Sequence, residues 1–373
     1  SPRPKVLLLE RNEALIATNS ENSKDTRALA ISLGALRRLD ELGVGEAFNS
    51  RGEPITTIHV SDLGHIGRVE LVASDSGLPF FGKVVLLSEV ETALWEQLST
   101  CQNIVKFIKP CSVCSVTDSI DGQIILTASG KQYRTKTIII AEGGNSQLCQ
   151  SLGVEYLKSD FKQTAIVTSV SFSHPKKGGA WERFTSTGPL AILPIADNWF
   201  SLVWCLENTE LSRLLHASEC DFKRELQKAF GFRAGRIERI GQRLCFPLQQ
   251  SLSTQQAINS SVYLFGNAAH MLHPVAGQGF NLTVRDISFF VSAIAGKIIS
   301  SNLPLPLELG RFYDSSRQLD VKETSHYTSY LISTFTDAFF PIVAGRSAGL
   351  AAISRSRTLR NKIISFGVNI KFI

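Results

Sequence analysis

The hydrophobic and polar residues of the chain follow two alternating patterns, and each pattern predicts a type of secondary structure. Continuous apolar runs at residues 5–12 and 84–90 predict buried strands. Apolar residues spaced three and four apart in segments 25–44 and 91–100 predict helices, and Gly43 ends the first of them. Because strands and helices interleave along this part of the chain, we predict an α/β domain of the nucleotide-binding type.

A second pattern begins at Ser159, where apolar and polar residues alternate one by one. Segments 163–173 and 189–206 have this alternation, which predicts strands of an antiparallel sheet. After the apolar strand 261–265 the helical spacing returns and continues to the end of the chain. We therefore expect an antiparallel sheet inserted into the α/β domain, followed by a helical C-terminal region.

The composition is that of a globular protein with a large core, because 43% of the 373 residues are hydrophobic. The net charge of +6 is mild, and no basic patch alternates with aromatic residues, so we expect no binding to nucleic acid. The seven cysteines are spread thinly, as reduced thiols are in cytosolic proteins. No apolar run reaches the ~18 residues that cross a bilayer, and the first residues do not resemble a signal peptide, so we expect a soluble or peripheral protein.

Two pairs of residues have the spacing of metal ligands. Cys111 and Cys114 form a C-x-x-C, which is typical of half a zinc site or of a redox pair, and no second pair follows at zinc spacing. His270 and His273 lie three residues apart without an acid to complete a ligand set, and Pro274 interrupts any helix there. We predict no metal site and expect the two histidines to pack in a loop or to contact a ligand.

The densest group of chemically special residues is GNAAHMLHPVAGQGFNLTVRD, residues 266–286, directly after a predicted strand. Within it, Gly277-Gln278-Gly279 precedes a segment with helical spacing. A glycine-rich turn at the start of a helix presents free backbone N–H groups to an electron-rich ligand, and glycines allow that ligand to approach the backbone closely. An ordinary strand–turn–helix junction is the alternative interpretation.

Two other predicted strands end in an acid. Glu10 ends the first of them, where dinucleotide-binding folds place the acid that binds the ribose hydroxyls, although no G-x-G-x-x-G turn precedes it. The segment IIIAEGGNS, residues 138–146, runs from an apolar strand into Glu142 and Gly143. It predicts either a second cofactor-binding turn or a simple hairpin.

Taken together, these motifs resemble those of the flavin-dependent aromatic hydroxylases of the ubiquinone-biosynthesis group, over nearly the whole chain. The resemblance depends on segments 25–44, 59–73 and 182–195 and above all on HPVAGQGFN at residues 273–281. Within the group it is nearest to the 2-polyprenyl-6-methoxyphenol hydroxylases. It implies a Rossmann-like FAD-binding domain (residues 1–55, 84–158 and 255–310), a substrate-binding sheet domain (56–83 and 159–254) and a C-terminal helical region (311–373).

The resemblance also implies roles for single residues. Glu10 would bind the adenosine ribose of FAD, and Arg27 would lie along its phosphate and ribityl region. Glu142-Gly143 stands where relatives have Asp-Gly, and Asn267 stands where most have Asp. Leu193, Pro194 and Trp204 are expected on the substrate-facing sheet. The other expected cofactor contacts are Gly266, Pro274, Gly277, Gln278, Gly279, Phe280 and Asn281.

The start of the chain departs from the family pattern. The family begins with a strand and a G-x-G-x-x-G turn that holds the pyrophosphate, and roughly 25–30 residues of such a unit are missing here by comparison. We therefore expect the intact protein to use FAD, and this chain to hold FAD poorly or not at all.

The implied activity is hydroxylation of the aromatic ring of a polyprenylated phenol in ubiquinone biosynthesis, with FAD, O2 and either NADH or NADPH. The catalytic base stays unknown at this point, with His59 and His65 as candidates. Two rival interpretations remain open: a hydroxylase of another aromatic or terpenoid substrate, and a non-catalytic subunit of a quinone-biosynthesis complex.

The C-terminal segment suggests where such a protein works, because a polyprenyl tail lies in the membrane. After Asp337 there is no acidic residue, and basic residues alternate with apolar ones. We expect a cytoplasmic protein that contacts the inner membrane, or a partner protein, through this segment. Its basic residues are Arg346, Arg355, Arg357, Arg360, Lys362 and Lys371.

Overall fold

The computed structural model describes residues 5–13, 26–119, 122–144, 146–300, 306–337 and 339–368. The first strands are β1 (Val6–Leu9), β2 (Ala28–Ser32), β3 (Glu53–Ile55), β4 (Thr57–Asp62), β5 (Arg68–Val72), β6 (Gly82–Leu86), β7 (Val105–Ile108), β8 (Val113–Ser119), β9 (Gly122–Thr127), β10 (Gln132–Thr135) and β11 (Ile138–Ile140). The later strands are β12 (Tyr156–Phe172), β13 (Gly179–Thr185), β14 (Gly188–Ala196), β15 (Trp199–Glu207), β16 (Ile237–Ile240), β17 (Leu244–Ser253), β18 (Val262–Leu264) and β19 (His270–Met271). The α-helices are α1 (Leu33–Glu41), α2 (Glu46–Asn49), α3 (Leu87–Thr100), α4 (Gln147–Ser151), α5 (Asn208–Leu215), α6 (Glu219–Phe230), α7 (Gln278–Phe290), α8 (Gly296–Ser300), α9 (Leu307–Thr336), α10 (Phe340–Arg355) and α11 (Arg357–Val368).

Two pairs of parallel strands form the nucleotide-binding type of structure that the sequence predicts. β1 pairs with β7 and β11 pairs with β18, both in parallel register. The two pairs are separate sheets within the described part of the chain. In each pair the carboxyl ends of the strands meet at one edge, where α/β proteins place their ligands.

The largest sheet contains the antiparallel strands that alternation predicts. Its strands lie in the order β19-β17-β12-β15-β14-β13-β4-β5, and β16 also pairs with β12. All neighbours are antiparallel except β13 and β4. This sheet and the helices that follow it confirm the predicted fold class, whereas the predicted domain boundaries stay a prediction.

The two faces of this sheet pack against different parts of the chain. One face, which we call the helix-packed face, is covered by α5 and α6 around Trp181, Phe200 and Phe230. The opposite face, which we call the open face, carries Phe184, whose ring stacks on Phe335 of α9 at 3.8 Å between ring centroids. Because each apolar ring that is buried removes 150–250 Å² from water, the aromatic cluster under α5 and α6 contributes much of the stability of this sheet.

The predicted helix over residues 25–44 is wrong in its first part. Residues 28–32 form β2, which pairs with β6 from Ala28 opposite Leu86 to Ser32 opposite Gly82. The helical spacing of this segment is overridden by that long-range pairing. The helix begins only at Leu33, where the Ser32 hydroxyl accepts a hydrogen bond from the backbone N–H of Ala35 at 3.2 Å.

The helical C-terminal region is confirmed, but one of its basic residues is not on the surface. Arg346 of α10 is buried, and its Nε donates to Asp62 of β4 at 2.7 Å. It also donates to the backbone carbonyl groups of Thr334 and Asp337. Its predicted membrane contact is therefore wrong, because the guanidinium is used to fix α10 to the sheet; Lys371 lies outside the described residues.

None of the helices in the described ranges combines the length with the apolar composition that a transmembrane helix needs.

Candidate functional site

The glycine-rich turn before α7 has the backbone geometry of a ligand-binding turn. Gly277 has φ of +59°, and a Cβ atom added there would lie 3.2 Å from the Cβ of Ala30 in β2. A side chain at this position would therefore be both strained and crowded. No side chain caps the start of α7, and no atom lies within 4 Å of the place where a Cβ of Gly279 would be. The first N–H groups of α7 thus lie uncapped next to open space.

The side chain of Asn281 fixes this turn to β2. Its Oδ1 accepts from the backbone N–H of Ser32 at 2.9 Å, and its Nδ2 donates to Ala30 at 2.9 Å and to Gly277 at 2.8 Å. The side chain is only 2% exposed, so water cannot replace these three hydrogen bonds. The sequence assigned Asn281 only a backbone contact, and its side chain has this additional structural role.

The structure brings together two of the turns that the sequence singled out. Glu142-Gly143 follows β11 and Gly266-Asn267 follows β18, and the N–H of Phe265 donates to Ile140 at 3.0 Å, where these two neighbouring strands end. Both glycines have positive φ, +89° at Gly143 and +61° at Gly266. Asn267 is exposed, whereas the Glu142 carboxylate accepts a hydrogen bond from Ser146 at the start of α4. Their cofactor contacts stay predictions.

The remaining predicted cofactor residues are distributed around these turns. Glu10 follows β1 in the other parallel pair, and its carboxylate accepts from the N–H of Asn12 at 2.7 Å. The Arg27 guanidinium lies 5.1 Å from the ring centre of Phe246. Pro274 is exposed, Gln278 is buried, and Phe280 packs partly buried against the core beside α1.

A chain of buried and partly buried charges connects α7 to α9. Asp286 of α7 accepts from His270 Nε2 at 2.5 Å and from Arg317 Nε at 2.6 Å. Arg317 also pairs with Asp320 at 2.6 Å, and Arg285 donates to both carboxylate oxygens of Asp320. Burial opposes the charge of Arg317, but the two carboxylates outweigh it and raise the pKa of that guanidinium. Breaking such a buried pair by removing one partner typically costs about 3–5 kcal/mol.

The open face of the large sheet contains side chains that are partly accessible although they belong to inner strands. Glu182, Ala191 and Val203 stand opposite one another on β13, β14 and β15. All three are partly exposed, and we call them the cleft row. Residues that pair directly across strands point to the same face. The apolar cluster on that face includes Ala30 of β2 and Val275, so the glycine turn borders the same space.

The three predicted substrate residues divide between the two faces. Leu193 lies on the open face, two positions along β14 from the cleft row. Trp204 is 5% exposed and packs on Phe222 of α6, and Pro194 pairs with Phe200 of the same cluster. Both belong to the helix-packed face. Trp204 pairs with Leu190 of β14, and every second residue of β14 from Leu190, including Pro194, points to the same face. The geometry keeps Leu193 as a candidate and argues against Pro194 and Trp204.

Neither of the two histidines considered as bases belongs to the cleft row, and a third histidine is buried near the turn. His59 pairs with Trp181 on the helix-packed face and stacks on its ring at 5.8 Å, and burial lowers the pKa of His59. His65 is exposed and lies 3.0 Å from Asp62 beside Arg346. His273 is buried, its Nδ1 accepts from the N–H of Val275, and burial lowers its pKa to about 4. Within the described ranges, no cluster of three or more His, Cys, Asp or Glu side chains has the arrangement of a metal site.

The turn and the fold fit a flavin and define the class of protein. An uncapped helix start beside open space suits the electron-rich edge of an isoalloxazine ring, and the sheet next to it offers an apolar face for an aromatic substrate. The chain is an FAD-dependent monooxygenase of the aromatic hydroxylase class. It belongs to the family whose profile is described as "FAD binding domain", which matches residues 6–299.

Named relatives agree with this class. Ubiquinone hydroxylase UbiL of Rhodospirillum rubrum is 28% identical over 352 residues, which are 94% of this chain and 80% of the relative. The 3-demethoxyubiquinol 3-hydroxylase of Escherichia coli is 26% identical over 352 residues, covering 94% of this chain and 89% of the relative. Among solved structures, p-nitrophenol 4-monooxygenase PnpA of Pseudomonas putida has a TM-score of 0.77 at 15% identity, over 99% of this chain and 93% of that one. The resemblance to the ubiquinone-biosynthesis hydroxylases is confirmed.

Sequence reasoning missed two features of this site. It did not single out Glu182, although an acid inside the apolar strand segment that follows Gly179 is unusual enough to deserve notice. It also missed the charge chain between α7 and α9, since Asp286 and Arg317 are 31 residues apart. The available signal was Asp286 within the helical segment that follows the glycine turn.

Proposed function

We propose that this protein hydroxylates the aromatic ring of a polyprenylated phenol in ubiquinone biosynthesis, using FAD, O2 and reduced nicotinamide. The observation that carries the proposal is the start of α7, which no side chain caps and which has open space beside Gly279, next to the partly exposed open face. The two bacterial relatives, a ubiquinone hydroxylase and a 3-demethoxyubiquinol 3-hydroxylase, support the pathway.

The residues of this chain would divide the work with the cofactor. When bound, FAD supplies electron transfer from the nicotinamide and the activation of O2. The backbone N–H groups of Gly279 and Phe280 would stabilise negative charge on the flavin edge, as preorganised donors do. Glu142-Gly143 and Gly266-Asn267 would contact the ribityl chain and the pyrophosphate, and Glu10 the ribose. The apolar side chains Leu193, Ala191 and Val203 would hold the phenol ring and exclude water from it.

The test uses the whole polypeptide and measures cofactor and reaction separately. Flavin absorbance of the purified protein, and after addition of FAD, gives the bound fraction and also tests the expectation that this chain holds FAD poorly. Incorporation of one oxygen atom from ¹⁸O₂ into a short-chain prenylated phenol, compared with the same phenol without its tail, gives the substrate. A colourless protein that refuses added FAD would contradict the proposal, and equal rates on tailed and untailed phenols would favour another aromatic substrate.

We also propose that the C-terminal helices contact an anionic membrane surface, from which the substrate tail is delivered. Arg355, Arg357 and Lys362 are exposed, and Phe339 and Phe340 at the start of α10 are 65% and 78% exposed. Basic residues near anionic lipid contribute about 1 kcal/mol each, and exposed rings can enter the interface. Cosedimentation with vesicles of anionic or neutral lipid tests this. A triple variant R355Q/R357Q/K362Q should lose binding to anionic vesicles. Equal binding of the wild type and the triple variant would refute the membrane contact of the C-terminal helices.

A further inference from the structure

Glu182 occupies the centre of the open face without the partners that a structural carboxylate has. Its neighbours along β13, Trp181 and Arg183, point to the helix-packed face, where Arg183 donates to Ala229 of α6. Glu182 itself stands between Val60 of β4 and Ala191 of β14. The side chain is partly accessible, yet its Oε1 atom is buried and has no hydrogen-bond partner. A buried carboxylate oxygen without a donor is costly, so its retention needs a reason.

The surroundings of Glu182 are apolar or neutral. Burial raises the pKa of Glu182 to about 7. Burial and the nearby Glu182 also raise the pKa of Cys205 on β15 and of Tyr327 on α9, so both groups are neutral when Glu182 titrates. Asp62 of β4, which pairs with Phe184 on the same face, forms an ion pair with Arg346 that compensates its charge. Among the ion pairs of the described residues, none includes Glu182.

Resting on the function proposed above, we propose that Glu182 is the catalytic residue that accepts the proton of the phenolic hydroxyl of the substrate. A phenol O–H is the donor that Oε1 lacks, and the ring attached to it would lie on Ala191, Val203 and Leu193. The hydroxyl would thus be bound at the sheet and the ring would extend towards the turn before α7.

The proton step balances within the overall reaction proposed above. The phenol O–H bond breaks, its proton forms a new O–H bond on the Glu182 carboxylate, and the electron pair stays on the phenolate oxygen. The phenolate is more electron-rich at its ring carbons, which favours transfer of an oxygen atom to them. The proton returns to the product oxygen afterwards. Overall, ArH, O2, NAD(P)H and one proton give ArOH, NAD(P)⁺ and water, so O2 takes two electrons from the nicotinamide and two from the ring.

The decisive experiment compares the wild type with Glu182→Gln, and uses Glu238→Gln, an exposed glutamate of β16 in the same sheet, as the matched control. The rate constant kcat/KM for the phenol is measured from about pH 5.5 to about pH 9. Because the carboxylate form accepts the proton, kcat/KM of the wild type and of E238Q should rise with pH through the pKa of Glu182, about 7, and level off about one pH unit above it. E182Q should lose the rising limb and fall by about 10²–10⁴-fold.

A second substrate separates a base from a merely structural residue. A polyfluorinated phenol that is already ionised near neutral pH needs no base. E182Q should therefore hydroxylate it at most of the wild-type rate, and no faster than the wild type. Unchanged pH dependence in E182Q, or an equal deficit on both phenols, would overturn the proposal. If E182Q does not fold, Glu182→Asp decides: E182D should keep a rising pH dependence at a lower kcat/KM, and a kcat/KM of E182D that does not change with pH would refute the role.

The results that would refute the proposed function differ from those that would refute the role of Glu182. Flavin content and oxidation of reduced nicotinamide without any phenol are expected to be the same in E238Q and the wild type. Absence of both in the wild type would refute the monooxygenase reaction itself, whereas their presence together with a pH profile that ignores Glu182 would refute only the base.

Discussion

The two faces of the large sheet are built from the same strands but do different things. On β13, β14 and β15, the side chains of the helix-packed face are nearly all buried, with Trp181 at 2%, Leu202 at 0% and Trp204 at 5% exposure. On the open face the cleft row stays partly accessible, and an acid replaces an apolar residue. Since alternate residues of a strand point to opposite faces, one stretch of sequence can stabilise the fold through one face and serve a ligand through the other.

The largest effect on stability is expected on the helix-packed face. Trp204→Ala removes a buried ring that packs on Phe222, and we expect a loss of about 3–5 kcal/mol in the free energy of unfolding. Urea denaturation measures it, and Trp204→Phe should lose much less. The KM of the folded fraction should not change. A large rise in KM at unchanged stability would show instead that Trp204 contacts substrate, as the sequence suggested. It would contradict the assignment of a structural role to the helix-packed face.

Asn281 tests whether the turn itself needs support from the fold. Asn281→Ala deletes three hydrogen bonds of a buried side chain and leaves buried backbone groups unpaired, which should cost about 2–4 kcal/mol. Because the turn is then loosened, FAD affinity should fall too, measured by titration followed through flavin fluorescence. Asn361→Ala, a partly buried Asn with one side-chain hydrogen bond to Ser76, is the control and should change neither property. Full FAD affinity in N281A would show that FAD binding does not depend on the hydrogen bonds of Asn281.

A pH-dependent effect is expected at His273. Its pKa of about 4 lies below the ordinary 6.5, so the unfolded chain takes up a proton that the folded protein refuses, and stability falls as the pH drops below 6.5. Between pH 7 and pH 5.5 this should remove about 1 kcal/mol. His273→Asn keeps an acceptor for the N–H of Val275 and cannot titrate, so the wild type should lose that much more than H273N in this interval. Identical pH dependence of the two unfolding free energies would contradict the burial of a neutral ring.

The smallest change in stability is expected on the open face. Ala191→Phe places a ring into the partly accessible cleft row, and the free energy of unfolding should change by no more than about 1 kcal/mol. Substrate binding should weaken at least about tenfold because the ring occupies the proposed substrate space. Ala196→Phe, at the exposed end of the same strand, is the matched control and should leave KM unchanged. A KM that rises equally in both variants would show that the cleft row is no substrate surface.

Much of the fold could be predicted from local pattern, and the failures have a common physical cause. The turn at Gly277 was predictable because glycines follow a buried strand and precede a helical spacing. The strand β2 was not, because its hydrogen bonds are made with β6, 50 to 58 residues away. The faces of Leu193 and Trp204 were not predictable either, since they depend on the register of β14 against β15, and a shift of one residue reverses a whole strand. Glu182 was missed for the same reason, because its isolation depends on neighbours from other strands.

The ion pair between Asp286 and Arg317 joins the two helices that border the two proposed binding surfaces. α7 begins at the glycine turn proposed to bind the flavin, and α9 packs on the open face proposed to bind the substrate, through Phe335. We expect a protein with Asp286→Asn to keep oxidising nicotinamide while wasting more of it, which the ratio of hydroxylated product to nicotinamide consumed would reveal. An unchanged ratio would mean that the alignment of the two surfaces is set elsewhere.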